Sequence, residues 1–394
     1  MSHTRKSISK RSMVRSTNLL DGRAGFRLSA EWGHISVLEG GGHICELNLK
    51  ACDGVNPLWR PPWKTIDPDK YEASKHRRTY GLPPEGKLLA GIAGHNLCFD
   101  HFGPPSPEET AAGRTTHGEA PVLKWHLLRI AQTPVPALAY GVTLPEAQTR
   151  FSREISLDRH HPVVYCEETA VNLSMFDRPI SWTQHVTFGP PFLECDRTLF
   201  DMSATRGKAC SSDFSPRLAV KPDAEFVWPL VPSEDGGQVN LRMAPRGRFG
   251  RFTAQLLDPN LGIAFVAASN PRLQLLVVYA FRRADFPWVG NWEEQLCRTH
   301  VPWRGRAFTR GMEFSTTPLP LPRRETVKQG SLFGESTYRW LLAKSQARIR
   351  FLILLFKIPE DFRGTARVDL TERKARVVET EEGREFTVPV KEFL

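Results

Sequence analysis

A short alternating segment, residues 181–188, places a histidine on one face together with two hydroxyl side chains. Trp182, Gln184, Val186 and Phe188 would lie on the opposite face, and Gly189-Pro190-Pro191 ends the strand. His185 therefore shares its face with Thr183 and Thr187. A neutral imidazole can donate from one nitrogen and accept at the other, and its usual pKa near 6.5 suits proton transfer. A histidine whose hydrogen bonds serve only the fold would give the same pattern.

Two further segments carry groups that could act with this histidine. Glu313 lies between Met312 and Phe314 in an alternating run. On an outward face it would be an ordinary surface carboxylate, whereas on an inward face burial would raise its pKa toward the range of a general base. His117 is followed by Gly118 at a predicted helix-to-strand junction, where a glycine lets another group approach the backbone closely.

An apolar stretch, residues 88–102, contains four polar side chains: His95, Asn96, Asp100 and His101. Polar groups inside an apolar run need hydrogen-bond partners, so this stretch is a candidate wall of a pocket. The spacing of the two histidines matches no familiar metal-ligand pattern, and we expect no metal site.

Tryptophans and prolines are concentrated in residues 56–63, which predicts a rigid aromatic loop because proline removes strand hydrogen bonds. Trp59 and Trp63 would either cap the core or form a surface on which the apolar face of a sugar stacks. A second aromatic loop is predicted at residues 288–294, with Trp288 and Trp292.

The fold class predicted from the sequence is all-β. The 31 prolines and 29 glycines fall in short clusters between alternating runs, as in proteins with many turns. Hairpins are expected around Gly40-Gly41-Gly42 and within residues 366–390. Residues 67–87 are expected to be a surface loop, and residues 104–114 a short helix with Ser106 as N-cap.

Charge and cysteine content bound the class of protein. No apolar run approaches the ~20 residues of a membrane span, and the seven cysteines contain no CxxC pair, which predicts a reducing cytoplasm and no disulfide framework. Half of the net charge of +10 comes from five basic residues among the first fifteen. We therefore expect residues 1–20 to be a disordered basic tail, with Met13 as a candidate start, and residues 21–394 to be a single domain. Nucleic acid is not the expected partner.

The order and separation of His117-Gly118, His185 and Glu313 resemble those of the galactose mutarotase-like superfamily, the aldose 1-epimerases and their relatives. The glycine-rich hairpin at residues 40–47 and Asn96 before the first histidine are similar too, and the resemblance covers residues 20–394. Three features depart from the family pattern: Leu97 follows Asn96 where arginine is usual, Val186 begins a different sequence after His185, and no Pro-Gln follows Glu313. The chain is identified as a divergent branch.

The resemblance implies a β-supersandwich with one or two short helices, whose concave face binds a free sugar or sugar derivative. It implies that Glu313 is the base that takes the anomeric proton, that His185 is the acid that protonates the ring oxygen, and that His117 holds the substrate or assists as an acid. Neither a metal nor another cofactor is implied. We expect further substrate contacts from five residues: His95, Asn96, Trp59, Gln184 and Trp292.

Two other functions are compatible with the same fold, because fold alone does not fix function. One is a carbohydrate-binding protein without catalysis, for which an outward Glu313 would argue. The other is a polysaccharide lyase or hydrolase, which would present a long open groove lined by Trp59, Trp63, Trp288 and Trp292.

Overall fold

The structure is a computed structural model that describes residues 13–211, 215 and 217–394. Strands dominate the described residues. The strands of the first half are β1 (Met13–Asn18), β2 (Ala24–Ser29), β3 (Gly33–Leu38), β4 (Ile44–Leu49), β5 (His95–Phe99), β6 (His126–Ala131), β7 (Ala137–Leu144), β8 (Thr149–Leu157), β9 (Val163–Asn172), β10 (Arg178–Ile180), β11 (Trp182–Phe188), β12 (Leu199–Met202) and β13 (Ala204–Ala209).

The second half continues the same pattern. Its strands are β14 (Glu225–Val227), β15 (Leu230–Pro232), β16 (Gln238–Asn240), β17 (Phe249–Leu257), β18 (Ile263–Asn270), β19 (Leu275–Arg282), β20 (Trp288–Gln295), β21 (Phe308–Ser315), β22 (Ser331–Leu332), β23 (Glu335–Ser336), β24 (Arg339–Leu341), β25 (Gln346–Lys357), β26 (Thr365–Leu370), β27 (Lys374–Glu379) and β28 (Glu385–Pro389). Four short helices interrupt them: α1 (Ala73–Tyr80), α2 (Gly86–Gly91), α3 (Pro107–Ala111) and α4 (Arg323–Gln329).

Two large antiparallel sheets face each other. The first has thirteen strands in the order β1-β2-β3-β4-β5-β11-β21-β20-β17-β13-β14-β15-β16, and the second has eight in the order β12-β18-β19-β25-β9-β8-β7-β6. Alternate side chains of both sheets meet in the main core, as Val186 and Phe314 of the first sheet and Phe151 and Ile353 of the second illustrate. The predicted all-β sandwich is confirmed, with four short helices among the described residues instead of one or two.

The outer faces of both sheets are also covered. The three-stranded sheet β26-β27-β28 packs Val368, Val377 and Val388 against the second sheet. The other face of the thirteen-stranded sheet is covered by the 56–63 loop, α2 and the loop between β20 and β21, which contribute Trp59, Leu88 and Trp303 to one apolar cluster. That covered face carries the candidate site.

Three local predictions are corrected by the structure. Residues 67–87 contain α1 and the start of α2; α1 buries only Tyr80, so no apolar periodicity marks it. The supposed second aromatic loop is strand β20, whose eight residues are all buried and pair on both sides. Residues 13–18, expected to be disordered, form β1, which pairs with β2 over six residues and buries Val14; residues 1–12 lie outside the described residues.

Other local predictions are confirmed. Strands β3 and β4 pair around the three glycines, and β27 pairs with β28 around residues 381–383. Helix α3 begins after Ser106, whose hydroxyl accepts from the Glu109 backbone while the Glu109 carboxylate accepts from the Ser106 backbone. Within the described residues, no helix combines the length and apolar character that a membrane crossing requires.

Candidate active site

His185 and Glu313 lie side by side at the centre of the thirteen-stranded sheet. In the antiparallel register, His185 of β11 is opposite Asn96 of β5 on one side and Glu313 of β21 on the other, and Glu313 is opposite Gly290 of β20. Because directly opposed residues point to the same face, these four positions form one row on the face away from the main core. The structure thus brings Asn96, His185 and Glu313 together on one face of the sheet.

The contact between the two candidate proton-transfer groups is close. His185 Nε2 lies 3.1 Å from Glu313 Oε1, and His185 Nδ1 lies 2.9 Å from the hydroxyl oxygen of Thr187. The Thr187 hydroxyl can accept the proton of Nδ1, and in that tautomer Nε2, the nitrogen that faces Glu313, is free to accept a proton. The Nε2–Oε1 contact does not have the geometry of a hydrogen bond, and no donor among the described residues satisfies Oε1.

The Glu313 carboxylate has room in the sheet because two neighbouring positions are glycines, which have no Cβ. A Cβ at Gly311 would lie 2.5 Å from Glu313 Oε1, and a Cβ at Gly290 would lie 3.3 Å from Oε2. Gly311 is two residues before Glu313 on the same strand, and Gly290 is opposite it on β20. A larger residue at position 311 would therefore force the carboxylate to move.

His117 comes to the same place from a tight turn. Its φ is 65° and that of Gly118 is 76°, and a Cβ at Gly118 would lie 2.0 Å from the Phe99 carbonyl oxygen. Only glycine permits this approach to β5, as the sequence predicted for the pair. His117 Nδ1 donates to the Phe102 carbonyl oxygen, which leaves Nε2 as an acceptor, and its ring centre lies 5.0 Å from that of His185.

Asn96 contributes a free amide to the row. The side chain is fully buried, and its Nδ2 has no hydrogen-bond partner among the described residues. A buried amide nitrogen without an acceptor is costly, so an acceptor such as a hydroxyl oxygen of a ligand would be stabilised there.

Burial controls the protonation of the site. It raises the pKa of Glu313 well above its usual value near 4.5 and lowers the pKa of His185 well below 6.5, with the neighbouring His117 adding to the second effect. Desolvation also lowers the pKa of His117 to about 4. Burial therefore favours the neutral form of each of these three groups.

Four tryptophans cover the row, and we call them the tryptophan cover: Trp59, Trp63, Trp292 and Trp303. Trp59 and Trp303 stack with ring centres 6.1 Å apart, Trp63 packs edge-on against both, and Trp292 contacts both Trp303 and His185. His185 is 4% exposed and Glu313 1% exposed beneath this layer, whereas His117 is partly exposed. Among His117, His185, Asn96 and Glu313, His117 is therefore the one that solvent reaches directly.

Trp303 was not predicted as part of the site. It lies in the loop of residues 296–307 between β20 and β21, where Arg298 also stacks on the Trp303 ring at 5.0 Å. The sequence signal was present, since Pro302-Trp303 repeats the proline and tryptophan pairing of the 56–63 loop.

His95 and Gln184 are placed on the wrong side for the substrate contacts expected of them. Successive residues of a strand point to opposite faces, so both side chains enter the main core. There His95 Nε2 lies 2.9 Å from Gln184 Oε1, and Gln184 Nε2 donates to Glu168, which also pairs with the buried Arg153 at 2.6 Å. These residues form a network that joins the two sheets.

The open groove expected for a lyase or hydrolase is not formed by the tryptophans named for it. Trp59, Trp288 and Trp292 are 1%, 0% and 7% exposed, and the indole nitrogen of Trp288 donates to the Ser336 carbonyl oxygen. Of the two uses considered for Trp59, the structure shows the capping role. Among the described residues, no group of three His, Cys, Asp or Glu side chains is arranged to hold a metal ion.

Comparison with known proteins identifies the fold. The sequence matches no family model and no curated protein sequence. Solved structures do match: a proposed aldose 1-epimerase from Klebsiella pneumoniae has a TM-score of 0.61 at 14% identity, covering 90% of this chain and 89% of that one. A galactose mutarotase-like protein from Clostridium acetobutylicum has a TM-score of 0.57 at 14% identity, covering 89% and 100%.

A third similar structure, a proposed aldose 1-epimerase from Escherichia coli K12, has a TM-score of 0.53 at 12% identity and covers 88% of this chain and 100% of that one. The chain has the fold of the galactose mutarotase-like proteins. This confirms the resemblance at the level of the fold.

Proposed function

We propose that this protein is an aldose 1-epimerase-like enzyme that interconverts the anomers of a free sugar or sugar derivative. The observation that carries the proposal is the contact between His185 Nε2 and Glu313 Oε1 at 3.1 Å, with the His117 ring 5.0 Å from His185. In this proposal Glu313 is the base, His185 is the acid, and His117 positions the substrate with the Asn96 amide.

The reaction needs two proton transfers at adjacent oxygens. Glu313 takes the proton of the anomeric hydroxyl, the bond between the anomeric carbon and the ring oxygen breaks, and the ring oxygen takes a proton from His185 Nε2. The aldehyde rotates and the ring closes by the reverse steps. Each positioned acid or base typically contributes ~10²–10⁴-fold.

The pair has the correct number of protons for this cycle. A protonated Glu313 beside a neutral His185 has the same proton count as an ionised Glu313 beside a protonated His185, so moving one proton across the 3.1 Å contact creates the reactive form. After ring opening the two groups are back in the neutral form that burial favours. Sugar hydroxyls that replace apolar contacts would stabilise the charged form.

A second function is supported by the tryptophan cover. Since Glu313 is 1% exposed and His185 4% exposed, a sugar reaches them only if the cover opens. A carbohydrate-binding protein that uses His117 and the covering aromatic rings without turnover is therefore the alternative proposal.

Cellular context completes the proposal. All seven cysteines are free, which is consistent with a reducing compartment such as the cytoplasm. We further propose that residues 21–394 act as one domain with a small-molecule sugar as ligand, that nucleic acid is not a partner, and that the proton transfers require no cofactor.

The experiment is anomer equilibration of a panel of aldoses, followed by polarimetry or NMR, for the wild type and the variants Glu313→Gln and His185→Asn. We expect acceleration of at least one sugar by the wild type and its loss in both variants. Gln132→Glu, a change at a side chain that binds the backbone of Val14 on β1, is the control for nonspecific effects. If the wild-type protein binds a sugar but accelerates the anomer exchange of none, the carbohydrate-binding alternative is supported.

A further inference from the structure

Three arginines converge on one buried aspartate next to the candidate active site. Asp100, which follows β5 and is 2% exposed, accepts from Arg114 at 2.9 Å, from Arg178 at 3.1 Å and from Arg323 at 3.0 Å. The arginines come from three separate elements: the segment after α3, strand β10 and helix α4. We call these three side chains the arginine cluster.

The arginine cluster has three positive charges and one carboxylate in direct ion-pair contact with them. Within the described residues Asp100 is the one carboxylate in ion-pair contact with the three guanidinium groups. Glu109 lies close enough to raise the pKa of Arg323, but its carboxylate accepts from the Ser106 backbone. Repulsion from Arg178 and Arg114 adds to burial in lowering the pKa of Arg323. One carboxylate is thus in direct contact with three guanidinium groups.

Much of the hydrogen-bonding capacity of the arginine cluster is unused. Arg114 donates through Nη1, Arg178 through Nη2 and Arg323 through Nη1. The remaining nitrogens have no hydrogen-bond partner among the described residues, and Arg178 Nε is buried without one. A guanidinium group has five donors in a rigid fork, so an ion pair through one nitrogen leaves the others for a second acceptor.

The arginine cluster is also within reach of solvent. The side chains of Arg114, Arg178 and Arg323 are 21%, 15% and 19% exposed, although the aspartate between them is buried. The cavity beside Arg114 has a volume of about 10 Å³, room for one water molecule, and Glu119 and Glu146 line it together with Asp100 and His101. An anion would therefore bind outside this cavity, at the exposed edges of the three guanidinium groups. A second anion could therefore contact the outer nitrogens while Asp100 keeps the inner ones.

We propose that Arg114, Arg178 and Arg323 form an oxyanion site that binds a phosphate group on the solvent side of Asp100. A phosphate dianion presents several acceptor oxygens to the planar donor forks and neutralises more of the positive charge of the arginine cluster than a carboxylate does. The site stands whether or not Glu313 and His185 catalyse a reaction. It could take inorganic phosphate or the phosphate of an esterified ligand, because both present the same chemistry.

The position of the site relates it to the candidate active site. Asp100 is four residues after Asn96, a separation of ~13 Å along an extended chain, and Arg114 is three residues before His117. His117, which is partly exposed, donates its backbone N–H to the Gly103 carbonyl oxygen just after this segment. Arg114 and Gly118 also line the same small cavity, so an anion in the arginine cluster would lie beside the turn that carries His117.

The test is a titration of the full-length protein with inorganic phosphate, measured by calorimetry and by thermal unfolding against sodium chloride of equal ionic strength. We expect saturable binding by the wild type and about tenfold weaker binding by Arg323→Gln and by Arg178→Gln, since each loses one charged donor. Arg129→Gln, which removes an exposed arginine paired with Glu154, is the matched control and should leave phosphate affinity unchanged.

Asp100→Asn should change the phosphate affinity in the opposite direction. Asparagine tolerates the left-handed conformation found at this position, where φ is 71°, and it removes the competing negative charge. We expect phosphate to bind this variant about tenfold more tightly than the wild type. If it does not fold, the two arginine variants decide the question alone.

A purely structural ion-pair network predicts a different result. It predicts that Arg323→Gln lowers the unfolding temperature equally in phosphate and in chloride, and that Asp100→Asn gains no affinity; either finding would overturn the proposal. A hexose phosphate and inorganic phosphate serve as two arms of the titration. Tighter binding of the hexose phosphate identifies an esterified ligand, and equal or weaker binding identifies free phosphate.

Discussion

Glu313 lies directly opposite His185 across the β11–β21 pair, with Oε1 3.1 Å from Nε2, yet neither group is held in its charged form. Burial raises the pKa of the carboxyl and lowers that of the imidazole. Burying these two groups therefore costs folding free energy, which the rest of the fold compensates. Such a cost is common where side chains are placed for chemistry instead of stability.

A first prediction concerns the pH dependence of stability. The pKa of Glu313 is raised in the folded state, so its contribution to stability is fully present below the unfolded pKa near 4.5 and is lost as the pH rises through the folded pKa. Glu313→Gln removes this loss. We expect the unfolding free energy of Glu313→Gln, relative to wild type, to increase by up to about 1.4 kcal/mol per pH unit above pH 4.5.

Denaturant unfolding of both proteins between pH 4.5 and 8 measures this difference. Glu382→Gln, at an exposed position in the turn between β27 and β28, is the control and should show no such slope. A constant difference between Glu313→Gln and wild type across that range would show that Glu313 is ionised in the folded protein.

A second prediction concerns Gly311. An alanine Cβ there would lie 2.5 Å from Glu313 Oε1, so the carboxylate must turn away from His185. Because the displaced atom is the end of a flexible side chain, stability should fall by only about 1 kcal/mol, while anomer exchange should fall by ~10²-fold through misplacement of the base.

The control for Gly311→Ala is Gly262→Ala, whose Cβ would meet no atom within 4 Å. Anomer exchange and thermal unfolding are measured for both variants. Full activity in Gly311→Ala would contradict the role proposed for Glu313 as base.

A third prediction separates backbone conformation from close approach at Gly118. Gly113 and Gly118 both have positive φ, at 87° and 76°, but only Gly118 has the Phe99 carbonyl oxygen 2.0 Å from an added Cβ. Gly113→Ala should cost about 1 kcal/mol, whereas Gly118→Ala should cost about 3 kcal/mol or more because the turn must leave β5.

Denaturant unfolding gives both costs, and the sugar KM reports whether His117 has moved. Equal destabilisation by the two alanines would mean that the turn carrying His117 is free to shift away from the sheet.

A fourth prediction concerns the tryptophan cover. Trp303→Ala removes the ring stacked on Trp59 and should destabilise the protein by about 3–5 kcal/mol. It should also expose His185 to diethyl pyrocarbonate, which acylates accessible neutral imidazole and is located by peptide mass spectrometry. Trp340→Ala, at a position 53% exposed, should leave His185 unmodified.

His43 and His95 provide the internal control, because both are fully buried away from the cover. Modification of His185 together with these two would indicate general unfolding. Protection of all three in Trp303→Ala would show that Trp303 does not close the site.

A fifth prediction follows from the position of Gln184 in the main core. Gln184→Leu leaves His95, Glu168 and Arg153 short of partners and should cost about 1–3 kcal/mol of unfolding free energy. Since the side chain faces away from His185, the sugar KM should be unchanged. A raised KM without loss of stability would restore the substrate contact first expected of Gln184.

The alternation of side chains along a strand was enough to predict which residues of β11 share a face with His185. It was not enough to predict the loops and strands around the site. It put His185 on one face with Thr183 and Thr187, and β11 shows that arrangement. The same rule places Gln184 on the other face, so the expected substrate contact conflicted with the strand pattern itself. The sequence did not predict the face of the sheet to which Glu313 points, because that face depends on the pairing of β21 with β11 and β20.

Segments whose apolar residues do not recur at a regular spacing were predicted less well. Helix α3 was found because Ser106, Pro107 and Glu109 form local signals at its start. Helix α1 has no such signal and depends on the packing of Tyr80. Strand β20 was mistaken for a loop because its tryptophans and glycine lie between two other strands, where both faces are buried and no polar alternation remains.

The row from Asn96 to Gly290 also has a kinetic consequence. Its members come from β5, from β11 and from the hairpin of β20 and β21, which are neighbours in the sheet but widely separated along the chain, with β6 to β10 and β12 to β19 inserted between them. Contacts of such high sequence separation form slowly, because much chain entropy is lost before they are made. We therefore expect the site to be among the last parts of the sheet to form during refolding, and a nascent chain that ends before β21 would lack Glu313 and the strand that joins β11 to β20.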